Sequence, residues 1–84
     1  MRKETKYIII HCSATKPSMD IGFEEIDQWH RAKGWFGCGY HKIIRRKNGI
    51  VQQGRADDEV GAHCRGRNSD SISICMVGGV SENN

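Results

Sequence analysis

Residues 7–20 read YIIIHCSATKPSMD, so four apolar or aromatic residues lead straight into a histidine and a cysteine. Because this run is β-branched and has no helical period, residues 6–11 are predicted to form a buried strand. One interpretation of the strand's end is that His11 caps it and Cys12 is a small buried residue. The other interpretation is that the strand places His11 at the floor of a functional site. The choice between these two interpretations depends on the rest of the sequence.

One amphipathic helix is predicted from residues 22–35, GFEEIDQWHRAKGW. Its apolar residues recur at spacings that keep them on one stripe of a helix. Acidic residues occupy its early turns and basic residues its last turn, which is the order that the helix dipole favours. Asp20 is the predicted N-cap, and Gly34 is expected to end the helix in the left-handed conformation.

Three further strands and a long loop complete the predicted order β-α-β-β-loop-β. Residues 40–46 and 50–53 are predicted to form an antiparallel hairpin, because the Asn-Gly pair at 48–49 between apolar runs indicates a type I′ turn. Residues 54–68 predict a polar surface loop of a length that is usually functional or mobile. Residues 71–77 predict a last strand, whose small residues on one face fit the middle of a sheet.

The predicted fold class is therefore α/β, with a mixed central β-sheet and flanking helices, in a single domain of residues 1–84. The first and last strands read as buried on both faces, but one helix cannot cover both faces of a four-stranded sheet. A C-terminal helical layer is therefore expected to be missing from this chain. We expect a further C-terminal segment, a partner or a second copy to pack on the uncovered face.

Composition and charge limit the possible partners. The chain has 84 residues and a formal net charge of +3, which fits an anionic partner such as a cell-wall polymer but does not demand one. Its basic residues are spread over loops without interleaved aromatic residues, which argues against nucleic acid. No apolar run is long enough for a membrane span or a signal peptide. Cytoplasmic synthesis is therefore expected, with the four cysteines as free thiols.

Residue types that carry chemistry are present, but no short catalytic motif assembles them. Neighbouring strand residues point to opposite faces, so only one of His11 and Cys12, and only one of Tyr40 and His41, can enter a given site. His63 lies in the predicted long loop, where this restriction does not apply. A zinc site needs three or four convergent ligands, and spacing alone shows no such arrangement.

Four segments occur in an order and spacing that resemble a known family: YIIIHCSAT, EIDQWHRAKGW, GYHKIIRRKNGIVQQGR and GAHCRGRNSDSISICMVGG. Over residues 6–80 the chain resembles the zinc-dependent N-acetylmuramoyl-L-alanine amidases of the phage-lysozyme type, which are related to the peptidoglycan recognition proteins. The resemblance implies a peptidoglycan hydrolase that cleaves the amide between N-acetylmuramic acid and L-alanine with a zinc-activated water. Peptidoglycan or a muropeptide would be its partner, with no membrane partner, and it would act on the cell wall once released.

The resemblance also assigns roles to individual residues. His11 matches the family's first zinc ligand. Tyr40 matches the active-site tyrosine, whose hydroxyl would position the water or stabilise the oxyanion. The residues that match the substrate-binding groove are His63, Arg55, Asn68 and His30.

The chain also departs from the family's pattern. The family's other zinc ligands, a second histidine and a cysteine, would lie beyond residue 84, together with its catalytic lysine or threonine. One histidine does not hold zinc usefully. The chain is therefore expected to be the N-terminal part of an amidase domain, without activity of its own. The alternatives are a non-catalytic module that binds muropeptides and an interaction domain.

Overall fold

The computed structural model describes residues 4–16 and 18–80. Its elements are β1 (Tyr7–Cys12), α1 (Phe23–Ala32), β2 (Lys42–Ile44), β3 (Val51–Gln53) and β4 (Ser71–Met76). This is the predicted order, and the α/β class with a mixed sheet is confirmed. In the described part of the chain, no helix has the length and apolar character of a membrane span.

The strands form one sheet in the order β1-β4-β2-β3. β4 pairs in parallel with both β1 and β2, whereas β2 and β3 are antiparallel. The predicted central position of the last strand is therefore confirmed. Ile26 of α1 packs in one buried cluster with Ile43 of β2 and Cys75 of β4, so the helix covers the sheet face on which those two strand residues lie.

The N-terminus of α1 differs from the prediction. Gly22 is the N-cap, and its N–H donates to the Glu25 carboxylate at 2.7 Å. The next N–H, that of the first helical residue, donates to the side chain of Gln52 at 2.8 Å. Asp20 lies two residues too early and instead accepts a hydrogen bond from Arg45 at 2.6 Å. The Asp20 cap is therefore wrong, because groups from the helix itself and from β3 already satisfy its terminal donors.

Gly34 and Gly49 are among the glycines that adopt left-handed backbone conformations at turns. Gly34, with φ of 93°, ends α1 as predicted. Gly49 has φ of 68°, but among described residues other than glycine only Ala14 has a positive φ. The predicted type I′ turn, which needs two consecutive positive φ angles, is therefore wrong. The strands stop pairing too early for a two-residue loop, and the Gly49 N–H closes a longer one by donating to the Arg45 carbonyl at 2.9 Å.

The other face of the sheet carries apolar side chains that no described element covers. Ile8 and Ile10 are 68% and 65% exposed, so the prediction that the first strand is buried on both faces is wrong. Cys12 is exposed as well, which contradicts its interpretation as a buried residue. The physical reason is the same for all three: they alternate onto the face opposite α1, at an edge strand. We call this surface, which continues through Val51 and Met76, the open face.

Candidate functional site

The end of β1 places His11 against a histidine that is 52 residues away in the chain. His11 Nε2 and His63 Nδ1 are 2.9 Å apart, and the two rings meet edge to face with centroids 5.0 Å apart. The ring centroid of Tyr40, which precedes β2, lies 5.3 Å from that of His11. The structure therefore brings together three of the residues singled out from the sequence, with Tyr40 and His63 beside the His11 imidazole.

His63 is held in place by its own loop and by β4. Asn68 Oδ1 accepts hydrogen bonds from the backbone N–H groups of His63 and Cys64 at 2.8 and 2.9 Å. On the ring, His63 Nε2 lies 3.1 Å from Ser71 Oγ, and the Ser71 hydroxyl donates to the Arg67 carbonyl at 2.6 Å. Asn68 therefore shapes the backbone that carries His63, and the two residues line one surface cavity.

His30 borders the candidate site on the side of α1. Its side chain is 8% exposed, and its Nδ1 accepts a hydrogen bond from the Gly39 N–H at 2.7 Å. Its ring centroid lies 4.6 Å from that of Trp35 and 5.4 Å from that of Tyr40. A cavity of about 260 Å³ beside α1 is lined by Ser13, Ile26, Trp29, His30, Lys33 and Tyr40. His30 and Tyr40 therefore border one cavity.

Arg55 is placed differently from the other predicted groove residues. Its Nε donates to the Cys38 carbonyl at 2.9 Å and its Nη1 to the Val60 carbonyl at 2.8 Å. It lines a separate cavity of about 330 Å³ with Phe23 and Asp27 of α1. One of these bonds ties the long loop to Cys38 and the other lies within the loop. The Arg55 side chain does not line the cavities that His63 and Tyr40 border.

Burial keeps the titratable groups of this site uncharged near neutral pH. Burial is the main cause that lowers the pKa of His63 to about 4, and the nearby charges of His11, His41 and Arg55 add to it. Burial also lowers the pKa of His11 below its usual value. For Tyr40 burial raises the pKa to about 12, so its hydroxyl keeps its proton. A neutral imidazole is the form that binds a metal, and a protonated phenol can donate a hydrogen bond.

Residues 1–84 match the profile of the N-acetylmuramoyl-L-alanine amidase family. The chain belongs to this family. An endolysin of Klebsiella phage KP32 is 54% identical over 79 residues, which cover 94% of this chain and 52% of the phage protein. An endolysin of Escherichia phage T7 is 49% identical over 81 residues, which cover 96% of this chain and 53% of that protein. The family expected from the four sequence segments is confirmed.

Solved structures share the fold of this amidase-family chain. The endolysin N-acetylmuramoyl-L-alanine amidase LysCS from Clostridium intestinale URNW has a TM-score of 0.77 and 32% identity, covering 88% of this chain and 46% of LysCS. Bumblebee PGRP-SA has a TM-score of 0.74 and 32% identity, covering 86% of this chain and 46% of PGRP-SA. The chain spans about half the length of the curated relatives it matches.

Members of this amidase family are generally zinc-dependent. The described residues can therefore be compared with the ligand set that a zinc ion needs. A zinc site takes three or four protein ligands. Among residues 4–16 and 18–80, no group of three or more His, Cys, Asp or Glu side chains is arranged to hold a metal ion. The described residues therefore do not fit a complete zinc site, and His11 as a single ligand stays a prediction.

Sequence reasoning about this amidase-family chain missed Ser71. Its side chain is fully buried, and its hydroxyl joins the His63 ring to the backbone of the loop. The available signal was the alternation in SISIC, which places small polar residues on the inner face of a central strand. His41, the neighbour of Tyr40, is fully buried and hydrogen-bonded to Ser73 and to the Glu59 carbonyl.

Proposed function

We propose that this chain is the N-terminal part of a peptidoglycan hydrolase that cleaves the amide between N-acetylmuramic acid and L-alanine. The observation that carries the proposal is the gathering of Tyr40 and His63 around His11 at the end of β1. Its support from the family is that similar proteins of phages KP32 and T7 are endolysins. The protein would be made in the cytoplasm and would act on the wall after release.

Each residue of the site has a proposed role. His11 would be one zinc ligand. Tyr40 would donate its hydroxyl hydrogen bond toward the oxygen of the scissile amide, where a preorganised donor stabilises developing negative charge. His63, Asn68 and His30 would line the substrate groove. Arg55 has the least support for a substrate contact, because two loop carbonyls already occupy its guanidinium.

We also propose that residues 1–84 form a single amidase-like domain that is completed on the open face. The support is physical: an α/β layer structure buries both faces of its sheet, and Ile8 and Ile10 remain mostly exposed on this one. A further segment, a second copy or a partner would complete it. A non-catalytic module that binds muropeptides remains the alternative function.

The test uses two proteins: the chain itself, and a fusion of it to the part of the KP32 phage endolysin that it does not match. Zinc per chain is measured by elemental analysis on mass-verified protein. Cleavage of purified peptidoglycan is measured as new free amino groups on L-alanine. The fusion is expected to bind about one zinc ion per chain, because a zinc site needs three or four ligands, and to cleave peptidoglycan. The chain alone is expected to do neither.

Variants of the fusion separate the proposed roles. His11→Ala is expected to lose zinc and cleavage together. Tyr40→Phe is expected to keep zinc and lose cleavage by about 100-fold or more, the usual cost of removing an oxyanion donor. Tyr7→Phe, the same change at a tyrosine under Arg67, is the matched control and should leave cleavage unchanged. A zinc-loaded fusion that binds muropeptides without cutting them would reject the hydrolase in favour of the binding module.

A further inference from the structure

A continuous series of hydrogen bonds leads from the backbone of the long loop to His11. It begins at the Arg67 carbonyl, which accepts from Ser71 Oγ at 2.6 Å. Ser71 Oγ lies 3.1 Å from His63 Nε2, and His63 Nδ1 lies 2.9 Å from His11 Nε2. We call these four groups the His11 hydrogen-bond series. Ser71 is fully buried, so the series is anchored away from solvent at its far end.

The direction of each bond follows from the hydrogens available. A carbonyl oxygen only accepts, and a hydroxyl carries one hydrogen. Because an O···O separation of 2.6 Å needs a hydrogen between the atoms, the Ser71 hydrogen points at the Arg67 carbonyl. Ser71 Oγ must then accept from His63 Nε2. A neutral imidazole has one N–H, so His63 Nδ1 is an acceptor and His11 Nε2 must be the donor.

We infer that Ser71 and His63 are positioning residues that fix the tautomer of His11, with its hydrogen on Nε2 and its lone pair on Nδ1. Nδ1 is then the ring nitrogen of His11 that can bind a metal ion or accept a hydrogen bond from a substrate, since the bond made by one nitrogen selects the role of the other. The inference deepens the proposed function and rests on it only for the use of Nδ1. The tautomer itself follows from the described contacts between neutral rings, without the proposed function.

His41 provides an internal reference. Its Nε2 lies 2.7 Å from the Glu59 carbonyl and therefore carries the hydrogen, while its Nδ1 accepts the Ser73 N–H at 3.0 Å. The Ser73 hydroxyl also lies 3.1 Å from Nδ1, but the two backbone groups are sufficient to set this tautomer. The tautomer of His11, in contrast, depends on two side chains and should change when the series is interrupted.

Long-range ¹H–¹⁵N NMR of the histidine-labelled 84-residue protein, at pH 7.5 and without zinc or substrate, tests the inference. The expected spectrum shows a protonated Nε2 and an unprotonated Nδ1 for His11, His41 and His63. Ser71→Ala removes the acceptor of the His63 N–H, so His63 and His11 are expected to become tautomer mixtures while His41 stays single. Ser73→Ala, the same change on the same face of β4, is the matched control and should leave His11 unchanged.

Two outcomes would overturn the inference. One is a hydrogen on Nδ1 of His11 in the unaltered protein, a result that needs no variant to fold. The other is a folded Ser71→Ala protein in which His11 keeps a single tautomer. Because no hydrolysis enters these spectra, an inactive fusion with the expected His11 tautomer would remove the proposed function and leave the inference standing.

Discussion

At the scale of single residues, the register of β1 explains why an apolar strand ends on a histidine. His11 pairs with Cys75 of β4 and points to the sheet face that α1 covers, where His63 and Tyr40 contact it. The next residue, Cys12, points to the opposite face. A slip of one residue in this pairing would exchange the imidazole for a thiol, because side chains alternate between faces.

The side chain of Asn68 should matter more for stability than its exposure indicates. Asn68→Ala leaves two backbone N–H groups beside His63 without their acceptor, so we expect a loss of about 1–3 kcal/mol in the free energy of unfolding. Urea unfolding followed by circular dichroism measures it. Asn48→Ala is the matched control, because Asn48 accepts one bond from the Ile50 N–H at an exposed turn. Equal losses in the two variants would contradict a special role for Asn68.

At the scale of elements, sequence periodicity was enough to locate the helix and the strands, whereas their ends depended on distant partners. The α1 pattern is local, because apolar spacing and charge order act within the helix. Its N-cap is not local: Gln52 of β3 supplies one acceptor from 29 residues away. The hairpin turn was mispredicted for a similar reason, since strand pairing, and not the Asn-Gly pair, sets the length of the loop.

The docking of α1 should make stability depend on pH through His30. Burial is the main cause that lowers the pKa of His30 from 6.5, so the unfolded chain takes up a proton at higher pH than the folded one. Stability from this group is therefore complete above about pH 6.5 and decreases as pH falls toward the lowered value. His11 and His63 shift in the same direction and add to the trend.

Urea unfolding at pH 7.5, 6.5 and 5.5 measures how much His30 contributes to the pH dependence of stability. His30→Gln removes the titrating ring but keeps an acceptor that can serve the Gly39 N–H. We expect this variant to lose less stability between pH 7.5 and 5.5 than the unaltered protein does. The same pH dependence in both proteins would mean that His30 does not contribute.

At the scale of the whole molecule, the sequence predicted the layers better than the site. The expectation of a second layer followed from one helix against four strands, and the described residues leave the open face uncovered. The site joins residues 8 and 52 positions apart in the chain, and no local pattern encodes such contacts. Family resemblance supplied His11, Tyr40 and His63, but it gave no indication of Ser71.

Because the open face is exposed, replacing isoleucine by alanine should lower the free energy of unfolding by different amounts on the two faces of the sheet. Ile43→Ala, at a fully buried residue, should lower the free energy of unfolding by about 2–5 kcal/mol. Ile10→Ala, at a residue that is 65% exposed, should cost less than about 1 kcal/mol because little surface leaves water on folding. Unfolding of the 84-residue protein at low concentration measures both. Similar losses would mean that a second copy or another layer covers the open face in solution.

The position of β4 has a consequence for how the chain acquires its structure during synthesis. β4 follows the other described strands in the chain, and it is the strand that joins β1 to the β2–β3 hairpin. Until β4 has left the ribosome, β1 lacks its strand partner, and the earlier described elements that can form locally are α1 and a hairpin of three-residue strands. Because long-range parallel pairing is slow, the His11 contacts would form only after β4 has been synthesised.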